Sequence, residues 1–247
     1  MSAPDLKGKI ALVTGASRGI GAAVSEALAA RGAHIVAVAR TVGGLEALDD
    51  IIKAKGGTAT LVPLDITDYD GIDRLGGALY ERFGKLDILV GNAGMLGPLS
   101  PVGHVDPKQW DNVVAVNVTA NWRLIRSMDP LLRAADAGRA IFVSSGAATN
   151  VRAYWGPYAV SKAALDALVR TYAEETKNTP IRVNLFNPGA TRTKMRAQAM
   201  PGEDPQTLPS PEVIAAELLK LTDPKLEETG LIYEAREKRF LTFQRPA

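Results

Sequence analysis

Short apolar runs alternate with longer amphipathic stretches along almost the whole chain, and this alternation limits the possible folds more than any other feature. Runs rich in β-branched residues lie at Ile10–Thr14, His34–Ala39, Ala59–Leu64, Leu86–Val90, Ala140–Ser144 and Arg182–Phe186, with a less sharply drawn one at Gly230–Glu234. Several are nearly continuous in apolar residues, the pattern of parallel strands covered on both faces. Helical spacing fills the intervals at Gly19–Arg31, Leu45–Lys55, Tyr69–Phe83, Gln109–Leu132, Ala159–Thr176 and Glu212–Leu221. A βαβα rhythm of this kind predicts an α/β fold, a doubly wound parallel sheet of about seven strands with helices on both faces. No linker marks a second domain, so a single domain is expected over residues 5–240, with a C-terminal tail at 241–247. One long irregular stretch, Ala190–Pro211, ends among Pro201, Pro205, Pro209 and Pro211. Inside a compact α/β domain such a stretch is expected to be a lid over a substrate.

Composition narrows the function classes. With 247 residues, 46% of them hydrophobic and 23% charged, the chain can bury a full core. A net charge of +2 gives no sign of a nucleic-acid or membrane-surface partner. There is no cysteine, which excludes disulfides, thiolate metal sites and cysteine nucleophiles and fits a cytoplasmic location. The first residues, MSAPDLKGK, hold no apolar signal core, and no run approaches the ~20 apolar residues of a spanning helix. His34 and His104 stand far apart, so no metal site is expected.

The first strand runs directly into Thr14-Gly15-Ala16-Ser17-Arg18-Gly19-Ile20-Gly21 and then a helix. Glycines in that position let backbone approach a pyrophosphate, and the helix start offers free N–H groups to the anion. The spacing is G-x-x-x-G-x-G, and a glycine turn alone also serves as an ordinary strand-to-helix connection. The second strand ends at Ala39 and is followed by Arg40, where an acid would be expected for a free ribose 2′-hydroxyl. Arg40 and Arg18 can instead pair with a 2′-phosphate, which favours NADP over NAD; either arginine could also be an ordinary surface charge. Asp65 and Ile66 close the third strand, where they could meet an adenine or simply cap the strand. Gly91-Asn92-Ala93-Gly94 follows the fourth strand, and Asn187-Pro188-Gly189 the sixth. All these turns fall at carboxyl ends of strands, where ligands of such sheets bind.

Of the six tyrosines, only Tyr158 has a lysine four residues later, Lys162, on the same face of a helix. A free phenol has a pKa of about 10, and a neighbouring ammonium is expected to bring it toward the working range of an acid/base. Ser145 lies thirteen residues before Tyr158 at a strand end, with Ser144 as its competitor. Asn117 interrupts an otherwise apolar helix face. Tyr154 lacks a lysine and is expected to line the pocket or join the core. Arg152, Arg192, Lys194 and Arg196 form a basic set around this region; the choice is between a solvated face and attraction of an anionic substrate or the cofactor phosphates.

Taken in order, Thr14–Gly21, Asn92–Gly94, Asn117, Ser145, Tyr158–Lys162 and Pro188-Gly189 with Thr193 beyond resemble the classical short-chain dehydrogenase/reductase family over roughly residues 6–235. The resemblance implies a single Rossmann-like dinucleotide-binding catalytic domain and hydride transfer between NADP(H) and a carbonyl or secondary alcohol. It implies Tyr158 as general acid/base, Lys162 on the nicotinamide ribose, Ser145 on the substrate oxygen and Asn117 as holder of a relay water. Gly15, Ser17, Arg18, Gly19, Ile20, Gly21, Arg40, Asp65, Ile66, Asn92, Ala93, Gly94, Pro188, Gly189, Thr191 and Thr193 would contact the cofactor. A homodimer or homotetramer is also implied, although Ile232-Tyr233-Glu234-Ala235-Arg236 lacks the D-G-G ending of the family, which serves there in subunit contacts. Gly91 likewise replaces a second asparagine. The lid resembles a bacterial branch of the family and names no substrate. The alternative of an NADPH-binding regulator without turnover is disfavoured because Tyr158 and Lys162 are both retained.

Overall fold

Strand β1 (Ile10–Thr14) is buried at every residue. Ala11 and Val13 join one core cluster, whereas Ile10 and Leu12 join another on the opposite face. This is the period-two division of a strand covered on both sides. A computed structural model, which describes residues 5–243, extends the division across a single sheet of order β3-β2-β1-β4-β5-β6-β7-β8. Its other strands are β2 (His34–Ala39), β3 (Thr58–Pro63), β4 (Ile88–Gly91), β5 (Arg139–Val143), β6 (Arg182–Asn187), β7 (Ile232–Glu234) and β8 (Arg239–Leu241). The first seven pair in parallel, as expected. The eighth, β8, is additional and antiparallel to β7. The turn joining β7 to β8 passes through Lys238 at φ +55°. Leu241 thus belongs to the sheet, while residues 244–247 of the expected tail lie outside the described residues.

Helices α1 (Gly19–Ala29), α2 (Val42–Ala54) and α8 (Pro211–Leu218) pack on one face. Helices α3 (Tyr69–Phe83), α5 (Ala120–Arg133) and α6 (Gly156–Thr176) pack on the other. The expected long helix over Gln109–Leu132 is divided: α4 (Pro107–Val114) passes through a π-helical turn at Ala115–Thr119 before α5 begins. A π turn inserts one residue into the helical register, and here it carries Asn117 into the interior. The expected lid is partly helical, with α7 at Lys194–Ala199 and a 3-10 turn at Pro205–Thr207.

After β3 the chain crosses to the far side of β1 to form β4. Strand order therefore reverses between β1 and β4, and their carboxyl ends open a crevice there. The glycine turn and the Asn92–Gly94 element stand at that crevice; Ser145 lies just beyond β5, and Asn187 ends β6.

Candidate active site

The crevice is an open cleft of about 1870 Å³. At its centre, the turn after β1 is shaped by backbone need. Gly15 and Gly19 adopt φ of +65° and +58°, in the left-handed region where a side chain is strained. Gly21 has no such φ, but a Cβ there would lie 2.3 Å from the Gly15 carbonyl oxygen. The Thr14 hydroxyl accepts from the backbone N–H groups of Asn92 and Ala93, each at 3.0 Å. The Asn92 amide donates to the Thr14 carbonyl at 2.8 Å. These bonds fasten the Asn92–Gly94 element to the glycine turn. The hub, Thr14, opens the glycine motif in the sequence but is not among the residues expected to contact the cofactor. Its signal is a polar residue closing an apolar strand.

At the far end of the cleft, Ser17, the exposed Arg18, Ile20, Arg40, Asp65 and Ile66 all line its wall. Arg18 is the residue before α1, in extended conformation. The β2–β3 register pairs Ala39 with Pro63, which brings Arg40 and Asp65 together at 3.5 Å. Arg40 thus does have an acid beside it, supplied by the neighbouring strand. Burial works against ionisation of Asp65, but hydrogen bonds from the Thr67 backbone and hydroxyl, with Arg40, hold its carboxyl below the usual range. Arg40 remains 71% exposed and so open to a second anion.

The chemistry-bearing residues meet at the other end. Ser145 follows β5 and lines the cleft; its hydroxyl accepts from Ala147 N–H at 3.2 Å and is hydrogen-bonded to the Tyr158 phenol. Ser144 turns its hydroxyl the opposite way and donates to buried Asp166. Tyr158 and Lys162 stand on α6, as their spacing predicts, with Nζ 5.8 Å from the phenol ring centre. Lys162 Nζ donates to the Val143 carbonyl at 2.8 Å. Burial pushes the Tyr158 phenol above its ordinary range, opposed by the Ser145 hydrogen bond. The expectation of a phenol depressed by Lys162 is therefore not met in the chain alone. The ammonium is itself weakened: burial lowers Lys162 to about 8, with Asp166 acting in the other direction.

Asn117 is fully buried behind the cleft wall. Its Oδ1 accepts from Met95 N–H at 2.8 Å, and its Nδ2 donates to the Met95 carbonyl and the Ser161 hydroxyl, both at 2.9 Å. The amide thereby ties the segment after β4 to α6. A Cβ on Gly94 would lie 3.3 Å from Asn117 Oδ1 and 3.6 Å from Lys162 Nζ, so glycine leaves a gap between them. Pro188, Gly189, Thr191 and Thr193 complete the cleft, and Gly189 is left-handed at φ +67°. The Thr193 methyl would lie 3.6 Å from a Cβ on Gly19, which sets the root of the lid over the glycine turn.

Around the phenol, Leu96, Ala147, Trp155, Met195, Ala199 and Met200 form an apolar wall, with the Trp155 and Tyr158 rings edge-on at 6.0 Å. Tyr154 takes no part in it. Its side chain is exposed outside the cleft, its φ is +73°, and its carbonyl accepts from Ser100 N–H. The basic set is also divided. Arg196 is held by Glu203 through contacts of 2.5 and 2.6 Å, which close the lid on itself, and Arg192 donates to Gln206 at 3.0 Å. Arg152 and Lys194 line the cleft and have no ion pair among the described residues. No group of three or more metal-ligating side chains occurs among the described residues.

A doubly wound sheet, a glycine turn at its crossover, and a serine, tyrosine and lysine gathered at one end of the cleft define a class of nucleotide-dependent enzyme. The sequence signature described as short chain dehydrogenase matches residues 9–204. The chain belongs to that family and is, by membership, an oxidoreductase. It is 34% identical over 238 residues to the uncharacterized oxidoreductase YciK of Escherichia coli K12, covering 95% of this chain and 94% of YciK. A short chain dehydrogenase from Salmonella enterica serovar Typhi superposes with a TM-score of 0.91 at 35% identity, over 96% of this chain and 99% of that one. Another, from E. coli CFT073 and complexed with NADPH, gives a TM-score of 0.89 at 35% identity, over 96% and 100% of the two chains.

Proposed function

We propose that the protein is an NADP-dependent oxidoreductase acting on a small carbonyl or secondary-alcohol substrate, with Tyr158 as general acid/base. The observation that carries this reading is the joint approach of Ser145 and Lys162 to the Tyr158 phenol inside a cleft that begins at the glycine turn. The cleft fits the cofactor. Left-handed Gly15 and Gly19 present bare backbone where a pyrophosphate would lie, and exposed Arg18 and Arg40 stand where a 2′-phosphate would lie. Asn92, Ala93, Gly94, Pro188, Gly189, Thr191 and Thr193 would line the remainder, with Lys162 on the ribose. The NADPH complex of a relative supports the choice of phosphate form. When bound, NADP(H) supplies or accepts the hydride at its nicotinamide ring.

The chain's own residues move the proton. In the reducing direction, the Ser145 hydroxyl donates to the substrate carbonyl oxygen and fixes it near the phenol. Tyr158, whose burial keeps it protonated at neutral pH, then gives its proton to the oxygen as the carbonyl carbon is reduced. In the oxidising direction the phenolate takes the alcohol proton, and the Lys162 ammonium stabilises that anion. Asn117 would hold a water in the gap beside Gly94, linking Lys162 to solvent. The apolar wall around Trp155 and Met195 excludes bulk water from the exchange.

Assembly as a homo-oligomer is part of the same proposal and rests on membership of the family. Among the described residues no helix is long and apolar enough to cross a membrane. The experiment is a panel of hydrophobic, keto-acyl and sugar-like carbonyls and alcohols, followed by NADPH absorbance. Turnover of at least one member with NADPH preferred to NADH is expected. Cofactor binding without turnover of any member would leave the regulator in its place.

A further inference from the structure

Tyr158, Lys162 and Asp166 follow one another at intervals of four residues on α6 and are all buried. The third has no part in the proton transfer described above, yet a carboxylate with only 5% exposure needs a reason. Its Oδ1 accepts from the Ser144 hydroxyl, so the residue between β5 and Ser145 is tied to the helix that carries Tyr158 and Lys162. The charged groups around Asp166 are Lys162 and Arg170 on its own helix and Glu234 on β7. Glu234 is fixed in turn by the Asn187 amide at the end of β6, at 2.9 Å to each oxygen. Lys162 has Asp166 as its one titratable counter-charge among the described residues, and its Nζ otherwise meets the neutral Val143 carbonyl.

We propose that Asp166 is a positioning residue: held by Ser144, its carboxylate is the buried counter-charge that keeps Lys162 an ammonium beside Tyr158. The proposal rests on the reading of Tyr158 as the acid/base. A lysine this deeply buried loses charge to desolvation, and an anion one helical turn away offsets part of that loss. Glu234 opposes ionisation of Asp166, while Arg170 and the Ser144 hydroxyl favour it. Burial raises Asp166 to about 6, so it is an anion at neutral pH and fails as a counter-charge in acid.

The test uses the full chain labelled with ¹⁵N at lysine. The Nζ signal, assigned through Lys162→Arg, is titrated in the wild type, Asp166→Asn and Ser144→Ala. Asp166→Asn keeps an oxygen for Ser144 to bond and removes only the charge. The Lys162 midpoint should fall by about one pH unit, a ~10-fold loss of ammonium above it. Ser144→Ala, which keeps the charge, should move it less. In the reductase assay the alkaline limb of kcat should fall in Asp166→Asn by the same displacement, with KM for NADPH within ~2-fold and partial rescue in Asp166→Glu. An unmoved Lys162 titration in Asp166→Asn would overturn the proposal. So would a loss of rate equal at every pH and matched by Ser144→Ala, the mark of a structural brace alone. If the wild type reduced no carbonyl, the Tyr158 reading would fall while the nitrogen titration still decided the coupling.

Discussion

Replacing Gly21 with alanine isolates the fit between the glycine turn and the first helix. The added Cβ would stand 2.3 Å from the Gly15 carbonyl oxygen, 2.5 Å from Asn92 Nδ2 and 2.8 Å from the Gly15 carbonyl carbon. Two of these atoms are backbone, so no side-chain rotation removes the clash. Helix α1 cannot retreat, because Val24 and Leu28 are fully buried against the sheet. The turn itself, or Asn92 with its bonds to Thr14, must move. Overpacking of this kind costs about 1–3 kcal/mol. If the strain falls on the cofactor-binding form, NADPH affinity drops by roughly 5- to 150-fold at 1.4 kcal/mol per tenfold. The assay is NADPH fluorescence titration with a thermal melt of the same sample. An affinity within twofold of the wild type at unchanged melting temperature would refute the steric argument and the placement of the pyrophosphate against this turn.

Arg40→Ala should weaken NADPH selectively in parallel titrations; an equal effect on NADH would remove the 2′-phosphate role. Arg139, 3% exposed, directs all its donors at the carbonyls of Gly138, Pro180, Asp223, Pro224 and Leu226. Arg139→Met should cost about 3 kcal/mol or more and lower the melting temperature by roughly 6–12 °C, whereas a shift below 2 °C by calorimetry would contradict the hub. Asp166 binds a proton in the folded chain between its ordinary 3.8 and its raised value of about 6, where the unfolded chain is ionised. Its contribution to stability therefore grows as pH falls through 6 and is lost as pH rises. Asp166→Asn should be more stable than the wild type at pH 7.5 by denaturant melts, with the gap narrowing below pH 6 and closing only as pH nears the ordinary 3.8; a pH-independent gap would contradict that sign. Glu203→Gln should loosen the lid and raise the carbonyl KM by ~2- to 5-fold with kcat little changed, and an unchanged KM would separate the Arg196 clamp from substrate binding.

The parts of the molecule legible in the sequence are those with a local cause. Strand β1 and helix α3 have the bounds that periodicity assigns, since hydrophobic spacing alone determines them. Tyr158 and Lys162 share a helix face for the same reason. What the sequence did not show depends on neighbours far along the chain. Arg40 looked free of acids because Asp65 reaches it only through the β2–β3 register. Arg196 pairs with Glu203 only seven residues on, but through a fold of the lid that no periodicity marks, so the choice between a solvated face and an anion site stays open in the sequence. The π turn at Asn117 leaves almost no trace in the apolar spacing, although it carries that residue inside. Strand β8 is as short as β7, and the turn through Lys238 that joins them holds no glycine, proline, asparagine or aspartate to mark a hairpin. A depressed phenol was the expectation from charge alone; burial of the whole Tyr158–Lys162 pair reverses it.

The central claim is that the Tyr158 hydroxyl moves the proton. Tyr158→Phe removes one oxygen and leaves the ring to pack against Trp155. With the best carbonyl from the panel, NADPH consumption should fall by about 10²- to 10⁴-fold, while NADPH affinity stays within ~2-fold of the wild type. A variant that consumed NADPH within ~3-fold of the wild-type rate would contradict the account.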